Sequence, residues 1–521
     1  MNRPRVFPLS ADWCAMDLTK KIENRNQYNA GSRPPRPQAA RPPLRSGQML
    51  ELQIDGMGHD GEGVGRSQGF TLFIPGAIPG DQVLAVVKQV KKNYGFAEVV
   101  KIVSPSPDRV VPECSVFSSC GGCALQHMDY QAQLRWKKQG VIDALQRIGG
   151  FGEPLVHETI GMAQPFRYRN KGQYPVALSG EQLVAGFFAK GSHDVVACQD
   201  CLIQHPLSNR IVAEASRLAM EFGLDAYNEQ TGQGFLRHIL IKTGFQSGEA
   251  LCVLVTNGRG FPEGNGGRVG GGYGGAKTAS TNRERRKRGG AEFGRLLQQA
   301  VPELVGVVQN INVQKTNVIL GDETITLWGR DALIDELCGL RFKISTRSFF
   351  QVNPLQTAVL YNKALEYAAL GGAETVLDLY CGIGTISLLL AGRSHWVIGV
   401  EYVEEAVVDA RSNAEMNGIH NVDFYAGDAG TVLENLAREG ANFDVAVLDP
   451  PRAGCDAKVL RVLTNLKVPR IVYVGCNPAS LARDLKLLAE LGYRLEEAQP
   501  VDMFPQTSHV ETVVLMSRKD K

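Results

Sequence analysis

Residues Thr375–Thr385 read TVLDLYCGIGT. An apolar run of strand length ends at Asp378-Leu379-Tyr380, and two glycines one residue apart follow. Gly382 and Gly384 lack a Cβ, so the backbone there can turn tightly and approach a ligand closely. A helical pattern begins at Thr385. Strand, glycine turn and helix in that order predict a doubly wound α/β fold with a nucleotide site at the turn.

The same alternation spreads outward. WVIGVE (396–401), VDFYAG (422–427), DVAVLDP (444–450), RIVYVGC (470–476) and ETVVLM (511–516) are apolar runs, mostly separated by helical patterns. Such runs predict a mainly parallel, Rossmann-like sheet covered on both faces, occupying about 336–521. In these folds ligands lie beyond the carboxyl ends of the strands. Glu401 ends one strand and suits ribose hydroxyls; Asp428 follows another and suits an adenine amino group. No full GxGxxG is present, which favours S-adenosylmethionine over a dinucleotide. The plainer reading makes the glycines turn formers and the acids helix caps.

Three segments after this loop carry chemistry: LDPPRAG (448–454), VYVGCNPASLARD (472–484) and MFPQTSHVETV (503–513). Paired prolines fix the backbone after Asp449 and aim it into the crevice. Cys476 follows an apolar run, where a thiolate would face the same crevice. Beside a methyl donor, a thiolate has a definite use. Uracil carbon 5 is a poor nucleophile until a thiolate adds to carbon 6. A base must then remove the carbon-5 proton, and Glu511 is the candidate. An amine acceptor would need no such addition. The plainer reading of Cys476 is a small buried apolar side chain.

The 521 residues imply two or three domains, and net charge is only +2. No apolar run of membrane-spanning length occurs, and the first residues lack a secretory core, so a cytoplasmic location is expected without membrane contact. Eleven cysteines then read as metal ligands, catalytic groups or buried side chains rather than disulfides. Nothing points to a protein partner.

Residues 1–46 read as a disordered basic arm; from 24 to 50 the chain has five arginines, five prolines and no acid. From 47 to 104, MLELQI, FTLFIPG, DQVLAVVKQV and GFAEVVKIV alternate with glycine turns and predict an OB-like small barrel. Lys88, Lys91, Lys92 and Tyr94 gather at one turn, suited to a nucleic-acid backbone or merely to solvent. Residues 105–335 form a central α+β domain with a helix near 130–148. A glycine-rich insert at 258–294 reads as a flexible loop with a basic tip at 283–288. In PFRYRNKGQYPV (165–176), Arg167, Arg169 and Lys171 would share one face of a strand and meet RNA.

Cys114, Cys120 and Cys123 have spacing C-x5-C-x2-C, and Cys198 and Cys201 add a CxxC. From spacing alone, Cys120, Cys123, Cys198 and Cys201 would suit a zinc tetrathiolate.

SFFQVNP (348–354), DLYCGIGT, LDPPRAG, VGCNPASLARD and HVET together resemble the RNA uracil-5-methyltransferase family. GQMLELQIDGMGHDGEGVGR with FIPGAIPGD resembles the TRAM domain, an RNA-binding barrel. The resemblance implies Cys476 as nucleophile and Glu511 as base. It implies a cofactor site of Gln351, Tyr380, Thr385, Glu401, Asp428 and Asp449. Threonine at 385 and aspartate at 428 depart from members with asparagine. It also implies a [4Fe-4S] cluster held by Cys114, Cys120, Cys123 and Cys201, with a structural role. The leading substrate is 23S ribosomal RNA, since transfer-RNA members often lack the barrel and the cluster cysteines. Transfer RNA is the nearest rival. An RNA-binding assembly factor and an amine methyltransferase are the rivals from other classes.

Overall fold

The computed structural model describes residues 43–261 and 279–519. The expected basic arm therefore lies outside the described residues except at Pro43–Ser46. There Leu44 is buried in the core of the barrel that follows.

That barrel is built from β1 (Met49–Met57), β2 (Gly63–Ser67), β3 (Phe70–Ile74), β4 (Gln82–Val90) and β5 (Tyr94–Ser104), closed in the order β1-β2-β3-β5-β4. Alternation along β4 turns Val83, Ala85 and Val87 inward. β2 occupies part of the stretch read above as a glycine turn. Its glycines hide the alternation because the core closes on bare backbone: a Cβ at Gly63 would stand 2.8 Å from that of Ala77. At the β4–β5 turn Lys88 pairs with Glu98 at 2.7 Å, while Tyr94 packs edge-on against Phe73 and Phe96.

Helix α1 (Tyr130–Arg147) follows, capped by Asp129. Next come β6 (Lys171–Ser179), β7 (Gln182–Phe188), β8 (Val195–Ala197), α2 (Pro206–Glu221), β9 (Leu236–Thr243), β10 (Ala250–Thr256), α3 (Ala279–Ala300), β11 (Leu304–Ile311) and β12 (Glu323–Gly329). The strands form one sheet in the order β12-β11-β10-β9-β6-β7-β8, with α2 and α3 packed against it.

Two expectations are corrected in this region. The insert is not loop throughout, because α3 takes its second half, including 283–288. Its glycines allow a close approach to β12: a Cβ at Gly290 would lie 2.6 Å from Leu327 Cδ2, and one at Gly294 2.4 Å from Trp328 Cβ. Residues 262–278 lie outside the described residues. The basic stripe is also absent. β6 starts only at Lys171, and Arg167 has φ +58 and forks onto Asp200 at 2.5 and 2.7 Å.

The hairpin β13 (Ala332–Leu337) and β14 (Leu340–Ser345) leads into α4 (Pro354–Ala368). Then β15 (Thr375–Leu379), α5 (Thr385–Ala391), β16 (Trp396–Glu401), α6 (Glu404–Met416), β17 (Val422–Ala426), α7 (Ala429–Arg438), β18 (Val445–Leu448), α8 (Ala457–Asn465), β19 (Arg470–Gly475), α9 (Pro478–Glu490), β20 (Tyr493–Val501) and β21 (Glu511–Arg518) complete the chain. The strand order is β17-β16-β15-β18-β19-β21-β20, with β15 to β19 parallel and β21 antiparallel to both neighbours. Alternate residues feed two cores: Val376, Val447, Val472 and Val513 on one face, Leu377, Leu448, Tyr473 and Val514 on the other. This is the doubly wound α/β fold, with its strand order reversing between β15 and β18. β20 carries mixed polar residues and a register shift between Leu495 and Glu497, so its strand pattern is hard to see in the sequence.

Candidate active site

The turn after β15 sits at that switch point. Gly384 caps α5 with φ +82, and a Cβ there would come within 3.0 Å of Phe424 Cζ. Gly382 has φ +56, and its missing Cβ would point into open space. The Gly382 N–H donates to Glu401 Oε2 at 3.0 Å, and the Val403 N–H donates to Oε1 at 2.9 Å. Glu401 is thereby fixed at the end of β16 with lone pairs left over for hydroxyl donors.

Asp378 is fully buried below the turn. The Ser387 hydroxyl donates to its Oδ2, while Oδ1 has no partner. Burial pushes this carboxyl up to about 7. Thr385 Oγ1 lies 3.3 Å from the Tyr361 hydroxyl. The Gln351 carbonyl accepts from Asn170 Nδ2 at 2.9 Å, so the segment before α4 is pinned to the central sheet. Tyr380, with φ +67, packs against the core that holds Cys455. Asp428 is exposed and caps α7, its Oδ1 accepting from the Thr431 N–H at 2.9 Å and hydroxyl at 2.8 Å. The plainer reading of that acid is thus real, and the cap leaves Oδ2 available.

The second group of residues follows from register. Gly475 of β19 pairs with Thr512 of β21. The next residues outward, Cys476 and Glu511, therefore come side by side at the carboxyl end of the parallel strands. Asp449 leaves β18 at the same end, its N–H donating to the Leu379 carbonyl at 3.3 Å. Burial, reinforced by Glu511 and Asp449, pushes the Cys476 thiol up to about 11, and Arg452 opposes the rise. Burial and Asp449 hold Glu511 well above the usual carboxylate range, again against Arg452. Glu511 is 4% exposed and its Oε2 has no partner. Burial pushes Asp449 up to about 7. An unpaired buried acid beside a thiol is costly unless a ligand completes it.

Tyr361, His509 and Asn170 were not assigned above. Tyr361 falls on the apolar face of α4 and reads as core, while His509 meets Arg452 and Asn170 meets Gln351 across separate elements.

Cys114, Cys120, Cys123, Cys198 and Cys201 line one small cavity, walled by Val116, Phe117, Phe187 and Ile203. Both Cys198 and Cys201 reach it. Burial pushes Cys123 up to about 12. Among the described residues no group of three or more His, Cys, Asp or Glu side chains is arranged to hold a metal ion.

Residues 336–519 match the family described as tRNA (Uracil-5-)-methyltransferase, and residues 43–100 match the TRAM domain. An uncharacterized RNA methyltransferase of Halalkalibacterium halodurans is 45% identical over 92% of this chain and 99% of its own. Another, of Caldanaerobacter subterraneus, is 43% identical over 91% of this chain and 99% of its own. Among solved structures, the Pyrococcus abyssi tRNA (uracil-54, C5)-methyltransferase in complex with S-adenosyl-L-homocysteine is 26% identical, with a TM-score of 0.66 over 90% of this chain and 100% of its own. Barrel, doubly wound sheet and sequence together show that the chain belongs to the RNA uracil-5-methyltransferase family.

Proposed function

We propose that this enzyme methylates carbon 5 of a uridine in 23S ribosomal RNA, in the cytoplasm, through a covalent bond between Cys476 and the base. S-adenosylmethionine supplies the methyl group as an electrophilic sulfonium. The open space over Gly382, the amide-fixed Glu401 and the unpaired Asp378 oxygen suit that cofactor. Gln351, Tyr380, Thr385, Asp428 and Asp449 complete its proposed site.

The single observation carrying the reading is the register that sets Cys476 beside Glu511. Cys476 is partly exposed and releases its proton to water. The thiolate adds to uracil carbon 6, and the electron pair of the 5,6 double bond moves toward carbon 5, which takes the methyl group. Glu511 then removes the remaining carbon-5 proton. The electrons re-form the double bond and expel the thiolate. A carboxylate whose burial raises its basicity is well suited to that removal.

Four thiolates of the cysteine cavity would hold a [4Fe-4S] cluster, with Cys114, Cys120, Cys123 and Cys201 as ligands. Their thiols line one cavity, and four thiolates there would suit such a cluster. Its role would be to hold the loops together.

Transfer RNA is the second reading, favoured by the full-length likeness to the Pyrococcus abyssi enzyme. Mapping 5-methyluridine in the RNA of cells lacking this protein decides between them. Loss at a site in 23S RNA supports the first reading; loss in transfer RNA alone overturns it.

A further inference from the structure

Gln506 holds φ +70, a left-handed conformation that a side chain other than glycine adopts only when its surroundings impose it. The surroundings here are specific. Its carbonyl accepts the N–H groups of Ala124 and Leu125, both at 3.0 Å. Its own N–H donates to Gln133 Oε1 at 3.1 Å, and its Oε1 accepts from Gln133 Nε2 at 3.1 Å. Gln133 Nε2 also reaches the carbonyls of Leu125 at 3.1 Å and Met128 at 2.9 Å. Both glutamines are buried, at 4% and 1% exposure.

The neighbouring residues are held in the same way. The Tyr168 hydroxyl donates to the Pro505 carbonyl at 3.0 Å. The Lys137 ammonium donates to Asp502 Oδ1 at 2.5 Å and to the Phe504 carbonyl at 3.2 Å. Three of these anchors, Tyr130, Gln133 and Lys137, lie on α1, with the Tyr130 hydroxyl 2.9 Å from Asp502 Oδ2. The others belong to the cysteine region: Ala124 follows Cys123, and Tyr168 packs with Cys201 and Cys123. Asn353 and Gln356 at the start of α4 hold the Met503 and Asp502 carbonyls at 3.0 and 3.1 Å. The side chains that hold Phe504, Pro505 and Gln506 come from the central domain, and the segment runs on toward Glu511.

We infer that Gln133 and Gln506 are positioning residues, a clamp by which α1 and the cysteine loop set the Glu511 carboxylate against Cys476. The inference rests on the base role proposed above for Glu511. It makes a selective demand. Glu511 is the first residue of β21, opposite Val501 of β20. A loosened clamp therefore shifts the base at the strand's start but leaves the thiol, which follows β19, and the cofactor turn, which follows β15. Addition and methyl transfer then proceed, and release of the methylated product stalls.

The test follows the covalent protein–RNA species on denaturing gels after mixing full-length protein, substrate RNA and S-adenosylmethionine. Glu511→Gln is the reference and accumulates the species. Gln133→Leu accumulates it as well, with release slowed about 100-fold, the scale expected when a catalytic group moves by an ångström. Its affinity for S-adenosylhomocysteine stays within about twofold of wild type, because it touches no cofactor residue. Gln506→Gly keeps the left-handed backbone and removes only the amide side chain, so it carries the comparison if Gln133→Leu does not fold. Accumulation in the reference with wild-type release in both clamp variants overturns the inference alone. No accumulation in Glu511→Gln removes the base role and the inference with it. Hydrogen exchange adds the link to the cysteines: Cys123→Ser speeds amide exchange over 502–510, and unchanged exchange there overturns that link.

Discussion

The guanidinium of Arg452 stands 3.2 Å from Nε2 of His509. The contact joins the turn after β18 to the segment before β21 and holds a positive charge beside both Cys476 and Glu511. Burial keeps His509 down at about 4, so the imidazole is neutral and accepts from Arg452.

This arrangement sets a pH dependence. With the thiol pushed up to about 11, the thiolate fraction grows about tenfold per pH unit through the neutral range. Initial methylation rates are expected to rise from pH 6.5 to 9.5. Arg452→Ala raises the thiol further and lowers the rate by about tenfold across that range, whereas Arg452→Lys retains most of it. A pH-independent rate in the wild type, measured with addition limiting, counts against Cys476 ionisation.

Stability depends on pH in the opposite sense. Asp378 and Asp449 are each raised from 3.8 to about 7. Between those values the folded chain binds more protons than the unfolded chain, so stability falls as pH rises through the window. The ligand-free protein should melt at a higher temperature at pH 5.5 than at pH 7.5 on account of these groups. Asp378→Asn should shrink the difference in thermal unfolding curves; an undiminished difference would remove Asp378 from this role.

Glu401 accepts two backbone N–H groups that nothing else in the site replaces. Glu401→Ala should weaken S-adenosylhomocysteine binding by about 10- to 100-fold, the cost of one or two lost charge-assisted bonds. Isothermal titration reads this directly, and unchanged affinity would move the cofactor elsewhere.

A prediction about packing concerns α3. Gly294→Leu forces a Cβ to within 2.4 Å of Trp328 Cβ and should lower stability by about 1–3 kcal/mol in chemical denaturation. Because the contact is remote from the proposed site, methylation per folded molecule should not change.

Protein purified without oxygen should contain iron and inorganic sulfide and absorb visible light. Cys201→Ser should lose the colour and Cys198→Ser should keep it. A colourless protein containing zinc would overturn the cluster.

The doubly wound sheet was legible because its central strands are buried on both faces and read as uninterrupted apolar runs. β2 was hidden because Gly63 and Gly65 have no side chains with which to alternate. The second half of the insert looked like loop for a related reason, since Gly290 and Gly294 are packing residues of a helix. Arg167 and Arg169 misled because alternation was read where no strand runs; Arg167 serves the cysteine loop through Asp200. Glu401 and Asp449 were legible as acids at strand ends. That Cys476 and Glu511 are neighbours was not, since their meeting depends on β21 inserting antiparallel between β19 and β20.

The most direct measurement uses substrate RNA carrying tritium on uracil carbon 5. The wild-type enzyme should release one tritium to water for each methyl group transferred, and Cys476→Ala should release none and transfer none. Methyl transfer without tritium release, or turnover by Cys476→Ala, would contradict covalent methylation at carbon 5.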